Sequence, residues 1–345
     1  MNKYLCLLAL SLTVSASTFA ADNACEAIFA IQGLQVGQMS DHQGLTGVTV
    51  LRFDQGASAG VDVRGAAPGT RETELLRPEN LVDKVHAIVL SGGSAFGLDS
   101  MTGVSQYLEQ QGIGFDVGVA NVPIVTGAVL FDLALGDANA RPDAKMGFAA
   151  AKAAHRLGVE EGNVGAGTGA SVGKIAGMAR ATKGGLGCYS TTLANGAVIG
   201  ALVAVNAWGD VVKDNTLVAS TRSEDGKRFV SGTQLLINGV EGQGFAGANT
   251  TIGAIVTNAK LTKAQALKIA QMGHDGFARA IRPVHSLYDG DTLFAAGTGE
   301  VTVNDINLLG VVAAEVVEQA IYRAVAKARS AGGIPAASEI PAQAL

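Results

Sequence analysis

Charge and aromatic surface are both scarce in this chain of 345 residues: 16% of positions are charged, 5% are aromatic and one is tryptophan. Low charge with a mean hydropathy of +0.29 excludes a disordered protein, which needs the opposite balance. Lys and Arg number 25 against 30 Asp and Glu, a net charge of −5, and no basic cluster stands out. That argues against a nucleic-acid partner, because neutralised phosphates supply most of such affinity. No apolar run approaches the ~20 residues that cross a bilayer as a helix, so no membrane span is expected. The five histidines, His42, His86, His155, His274 and His285, show no HExxH or other ligand spacing, and neither a metal nor another cofactor is called for.

Glycine is abundant instead. Its 46 residues are about twice the usual ~7%. They have no fixed period, which excludes collagen and points to tight loops and close backbone approaches. At the amino terminus Lys3 precedes an apolar run over 4–14, and Thr18 and Ala20 stand where a signal peptidase reads. Residues 1–20 therefore read as a cleaved secretory signal, and 21–345 as a mature chain in the periplasm or outside the cell. Cys6 leaves with the signal. Cys25 and Cys188 remain, and an oxidising compartment permits a bridge between them, although the sequence does not show that they meet.

Strand patterns fall at 46–53, 85–90, 198–205 and 250–256, with helices between them. One helix runs to about Gln111 and closes at Gly112. An Ala-rich helix is expected over 142–157, with Pro142 in its first turn. Thr262 and Gln265 form a capping box. Asn304 or Asp305 opens a helix to about Ser330, with Leu309, Val312, Val316 and Ala320 on one stripe. The Ala/Pro/Ser-rich tail after Gly332 is expected to be disordered. Mixed strands and helices give an α/β or α+β layered domain.

Two motifs mislead. Residues 165–170, Gly-Ala-Gly-Thr-Gly-Ala, match a dinucleotide fingerprint, but a turn precedes them and Lys183-Gly184-Gly185 stands where an acidic residue is needed. Gly173-Lys174 has Ile175 where a phosphate loop requires Ser or Thr. More informative is the glycine-containing stretch over 247–253, which leads through Asn249 and Thr250 into a strand. Downstream, Asp289-Gly290-Asp291 stands just before an apolar strand. Residues two apart on a strand face one side, so both carboxylates can enter one site. Crowded there, the two do not both ionise cheaply, and one can hold a proton near neutral pH.

Together with Arg64-Gly65, Pro68-Gly69-Thr70-Arg71-Glu72, the stretch from Ser91-Gly92-Gly93-Ser94 to Leu98 and that from Asn163 to Gly169, these motifs span nearly all of the mature chain. The chain resembles the DmpA-type aminopeptidases, which include β-peptidyl aminopeptidases and nylon-oligomer hydrolases. The resemblance implies a four-layer αββα sandwich, made as a precursor that cuts itself to expose a new amino-terminal nucleophile. By position the cut falls between Asn249 and Thr250, leaving one domain in two chains, 21–249 and 250–345. Lys174 and Asn206 are implied beside the nucleophile, and Asp289 and Asp291 behind it. Phe131 aligns where relatives carry a site tyrosine, so a hydroxyl is missing there. Homo-oligomers are common in the family, and a small peptide or amide is the implied substrate.

Elementary chemistry agrees with this assignment. A threonine hydroxyl needs a base. An ordinary lysine is only ~0.04% neutral at pH 7, whereas an α-amine is roughly 10–20% neutral. A cut before Thr250 puts nucleophile and base on one residue. Asn206 can donate to the developing oxyanion, worth about 2.7–4 kcal/mol for one such donor. Lys174 can bind a carboxylate or repel a proton from the amine. The expected function is removal of an amino-terminal residue from a small peptide or amide. Endo-hydrolysis of an ω-amino-acid oligomer is the first alternative, and an inactive periplasmic binding protein the second.

Overall fold

The computed structural model describes residues 24–242 and 249–345. The signal read at 1–20 and residues 247–248 of the glycine stretch lie outside them. Two sheets stack between two pairs of helices. The first contains β1 (Leu34–Asp41), β2 (Thr46–Val63), β3 (Gly69–Arg71), β4 (Val85–Ser91) and β5 (Val125–Val129), in the order β1-β2-β4-β5-β3. The second contains β6 (Gly185–Thr192), β7 (Val198–Asn206), β8 (Thr250–Ala259) and β9 (Thr292–Val301), in that order, and ends on β2. Most neighbours are antiparallel, but β4 and β5 run parallel, as do β8 and β9.

Strand β2 belongs to both sheets. Its first half pairs with β1 and β4, its second half with β9, and the pairing with β4 shifts between Arg52 and Ala57. The expected strand over 46–53 is thus the first half of an 18-residue element. Side-chain alternation then builds the layers. On β8, Ile252, Ala254 and Val256 meet Leu51, Phe53, Ile88 and Leu90 of the other sheet. Ile255 on the opposite face packs under α3 (Lys263–Ala280) and α4 (Ile306–Ala326). Helices α1 (Ser100–Gln110) and α2 (Ala144–Ala153) cover the outer face of the first sheet through Met101, Val104, Leu108 and Ala150.

Several helix ends differ from expectation for local reasons. Asp143 caps α2 by accepting from the Met146 N–H, and Ala154 turns extended, so Pro142 lies outside the helix. Asp305 rather than Asn304 caps α4, which stops at Ala326; Leu309, Val316 and Ala320 of its stripe are buried. The Thr262–Gln265 capping box is present. The dinucleotide-like segment makes a single 3₁₀ turn, Gly165–Gly167. Cys25 and Cys188 form a disulfide that ties the amino-terminal segment to β6.

The tail after Gly332 is ordered, contrary to its composition. Ile334, Ala336 and Ile340 are buried, Gln343–Ala344 pairs with Thr216–Ala219, and the Pro335 carbonyl accepts from the Lys183 N–H at 2.9 Å. Two isoleucines anchor a stretch whose Ala, Pro and Ser content suggested disorder. Ile340→Asp should therefore cost about 2–4 kcal/mol of unfolding free energy by denaturant titration, because it buries an unpaired charge. No change in stability would mean that the tail is a free appendage.

Candidate active site

Three strand ends converge at one end of the second sheet. Asn206 ends β7 directly opposite Thr250, the first residue of β8. Asp289 and Asp291 lie just before β9 on the other side, and Asn249 forms an isolated parallel bridge with Asp289. Lys174 arrives from a separate segment, where Gly173 N–H and Lys174 N–H donate to the carbonyls of Gly209 and Trp208, each at 2.9 Å. Its Nζ donates to both the main-chain and side-chain oxygens of Asn206, again at 2.9 Å. Asn206 Oδ1 also accepts from the Ser171 N–H at 3.0 Å, and Nδ2 donates to the Phe131 carbonyl at 2.7 Å. Phe131 thus reaches this network through its main chain. An amide carries two N–H donors, so one on Asn206 remains after the bond to Phe131.

The Asn249–Thr250 peptide is held between donors. Its carbonyl oxygen accepts from the Gly290 N–H at 3.0 Å and from the Thr250 hydroxyl, and both residues are buried. Position 290 has room only for glycine: a Cβ there would stand 2.5 Å from the Ala67 oxygen and 3.0 Å from Thr250 Oγ1. The loop after β2 clamps the same turn. Arg64 N–H and Gly65 N–H donate to the Asp291 carbonyl at 3.0 and 3.3 Å, and Ala67 N–H to that of Asp289 at 3.0 Å. This gives the Arg64-Gly65 motif a physical reason.

The two carboxylates sit in different settings. Asp291 Oδ1 accepts from the Thr251 N–H at 2.8 Å; Oδ2 accepts from the His285 N–H at 3.0 Å and contacts its ring Nδ1 at 2.8 Å. Asp289 Oδ1 accepts from the Trp208 N–H at 3.2 Å, and Oδ2 from the Ser286 N–H at 3.2 Å and from its hydroxyl. Burial, then the charge of Asp291, pushes the Asp289 carboxyl above the usual range, against the pull of Ser286, Trp208 and Lys174. Asp289 is thereby disposed to hold a proton.

Lys174 departs from the ordinary lysine assumed from sequence. Burial lowers it to about 7, opposed by the charges of Asp289 and Asp132. A sizeable neutral fraction near pH 7 is then available. Asp132 and Lys183 are charged residues that the sequence did not single out. Asp132 accepts from Thr46 Oγ1 and from the Gly93 N–H, each at 2.7 Å, and burial raises it to about 6. Lys183 Nζ donates to the carbonyls of Gly167, Ala170 and Gly184 at 3.1, 2.7 and 2.9 Å, and burial lowers it to about 7. The signal for Asp132 was the Ser91-Gly92-Gly93 motif. A Cβ on Gly92 would stand 2.0 Å from Asp132 Oδ2, so that motif makes room for a carboxylate.

The model of peptidase family S58 matches residues 26–337. The chain is 40% identical over 309 residues to an uncharacterised aminopeptidase of Mycobacterium leprae, covering 84% of each protein. It is 30% identical over 314 residues to a 6-aminohexanoate-oligomer endohydrolase of Agromyces, covering 86% of this chain and 85% of that one. Its fold matches the L-aminopeptidase D-Ala-esterase/amidase of Ochrobactrum anthropi, a variant of the Ntn hydrolase fold. The TM-score is 0.68 at 20% identity, covering 93% of this chain and 91% of that one.

The depressed lysines make stability depend on pH. An unfolded lysine keeps its proton to about pH 10.4, so between about pH 7 and 10 the unfolded chain binds more protons and stability rises with pH. Lys174→Met removes one contributor. The slope of unfolding free energy against pH between about 7 and 9, compared on intact Thr250→Ala chains, should fall by up to about 1.4 kcal/mol per unit. An equal slope in the two chains would show that Lys174 keeps its charge across that range.

Proposed function

The chain belongs to peptidase family S58, and on that premise we propose that it cuts itself between Asn249 and Thr250 and then acts as an aminopeptidase through the freed threonine. The family and the named relatives make it a hydrolase of amide bonds. The observation that carries the finer reading is the Asn249 carbonyl, which accepts from the Gly290 N–H while the Thr250 hydroxyl lies against it.

In the precursor, Thr250 Oγ adds to the Asn249 carbonyl carbon as its proton passes to a base. The Gly290 N–H is aimed at the oxygen where negative charge develops. Thr250 has no free α-amine at this stage, and Lys174, lowered to about 7, supplies a neutral base. The C–N bond breaks, the threonine nitrogen takes a proton, and an ester joins Asn249 to Oγ. Water opens the ester to the Asn249 carboxylate and the Thr250 hydroxyl. In turnover the new α-amine is the base, Oγ the nucleophile, and the Asn206 amide a donor to the oxyanion. Asp291 orients the amine, and Asp289 stands ready for the ammonium of a small peptide or amino-acid amide. The 6-aminohexanoate-oligomer relative supports endo-hydrolysis as a second reading. The pattern over 1–20 and the Cys25–Cys188 bridge support export to an oxidising compartment.

Intact mass should reveal a small chain beginning at Thr250, and Thr250→Ala should remain one chain. An active wild-type protein that stays uncut contradicts the proposal. Exo and endo readings separate on the substrate amine. Acetylating the amine of an amino-acid p-nitroanilide should slow hydrolysis at least ~100-fold, about 2.7 kcal/mol, because a buried acid loses its partner. Equal rates would favour the endo-amidase.

A further inference from the structure

We propose that His285 is a positioning residue, whose ring Nδ1 fixes the Asp291 carboxylate in the orientation that receives the Thr250 amine. The inference rests on the role given to Asp291 above.

His285 binds one carboxylate oxygen twice. Its N–H donates to Asp291 Oδ2 at 3.0 Å and its Nδ1 lies 2.8 Å from the same atom. The other oxygen, Oδ1, takes the Thr251 N–H at 2.8 Å. Donors from two separate segments thus define the carboxylate plane, and one of them is the residue next to the nucleophile. The backbone of His285 is itself unusual, with φ of 56°. A non-glycine residue in this left-handed region is strained, because its Cβ crowds the following carbonyl oxygen. Here the strain accompanies a geometry in which main chain and ring reach one oxygen together.

The ring is held from behind by α3. It packs edge-on against His274 with centroids 4.8 Å apart, and lies 6.1 Å from the Phe277 ring. His274 Nε2 meets the Asp62 carbonyl at 3.0 Å, and burial lowers its pKa to about 4, so this wall is uncharged near neutral pH. Asp62 is paired with Arg64 at 2.8 Å. His285 Nε2 is buried and has no hydrogen-bond partner among the described residues. All polar anchorage of the ring therefore runs through Nδ1, which assigns the proton to that nitrogen. Such fixing before substrate arrives matters because a small misplacement of a catalytic group costs on the order of 100-fold in rate.

Three variants isolate the Nδ1 donor. His285→Asn keeps an N–H near the place of Nδ1, His285→Gln moves it to the place of Nε2, and His285→Leu removes it. The readouts are kcat and KM of the processed enzyme on alanine p-nitroanilide, with the half-time of chain cleavage used where a variant processes slowly. Asn should stay within about 5-fold of the wild-type kcat, whereas Gln and Leu should lose about 50-fold or more with KM little changed. Wild-type kcat in the Gln or Leu variant, or an Asn variant as slow as Leu, overturns the proposal. If the Leu variant does not fold, the Asn and Gln pair decides. Asp291→Asn separates the two levels. A fast Asp291→Asn enzyme defeats the reading of Asp291 and this inference with it, whereas a slow one beside a fast His285→Gln enzyme defeats only the role of His285.

Discussion

The hydrogen bond from the Gly290 N–H to the Asn249 carbonyl is the contact on which the rest of the site depends. It sits where the parallel ladder of β8 and β9 begins, beside the Asn249–Asp289 bridge. Register in that ladder places Thr250 level with the Asp289-Gly290-Asp291 turn, and a slip of one residue would turn each side chain to the wrong face. In the proposed self-cleavage, the same N–H that starts the pairing is also the donor that polarises the Asn249–Thr250 peptide. Construction of the fold and chemistry share one bond. The glycine that allows it cannot be replaced without meeting Ala67 or Thr250.

Around this bond the protein buries an unusual number of ionisable groups for so apolar a chain. Asp132, Lys174, Lys183, Asp289 and Asp291 are all buried. Isolated charges in such a place are costly, and the usual escape is neutralisation by a shifted pKa. Burial moves the lysines down and Asp132 and Asp289 up. These shifts bring acids and bases toward neutral pH, which is the condition general acid–base catalysis needs. Asp291 has a different setting, with N–H donors from Thr251 and His285 and the ring of His285 beside it. The pair is asymmetric because the donors are.

Much of this was legible in the sequence, and the gaps have physical reasons. The Thr250 strand, the Thr262–Gln265 cap and the stripe of α4 follow from periodicity and capping chemistry, which are local. Asp289 and Asp291 were visible because their spacing is itself a constraint. Asp132 and Lys183 were not, since a single Asp or Lys acquires meaning only when burial is known. His285 lacked any ligand spacing, and its importance lies in a contact six residues ahead, with Asp291. Phe131 shows another gap: alignment compares side chains, whereas the structure brings in its carbonyl. The tail misled because average composition hides two buried isoleucines, Ile334 and Ile340.

The central claim is that Thr250 carries the nucleophile. The most direct measurement is peptide mapping by mass spectrometry after the processed protein reacts with a β-lactone, a strained ester that acylates an activated hydroxyl. The account predicts a single acyl group on Thr250, at the start of the 250–345 chain, and much slower labelling when Asp291 is changed to Asn. An acyl group on another residue, or none on protein that still hydrolyses amides, would contradict it.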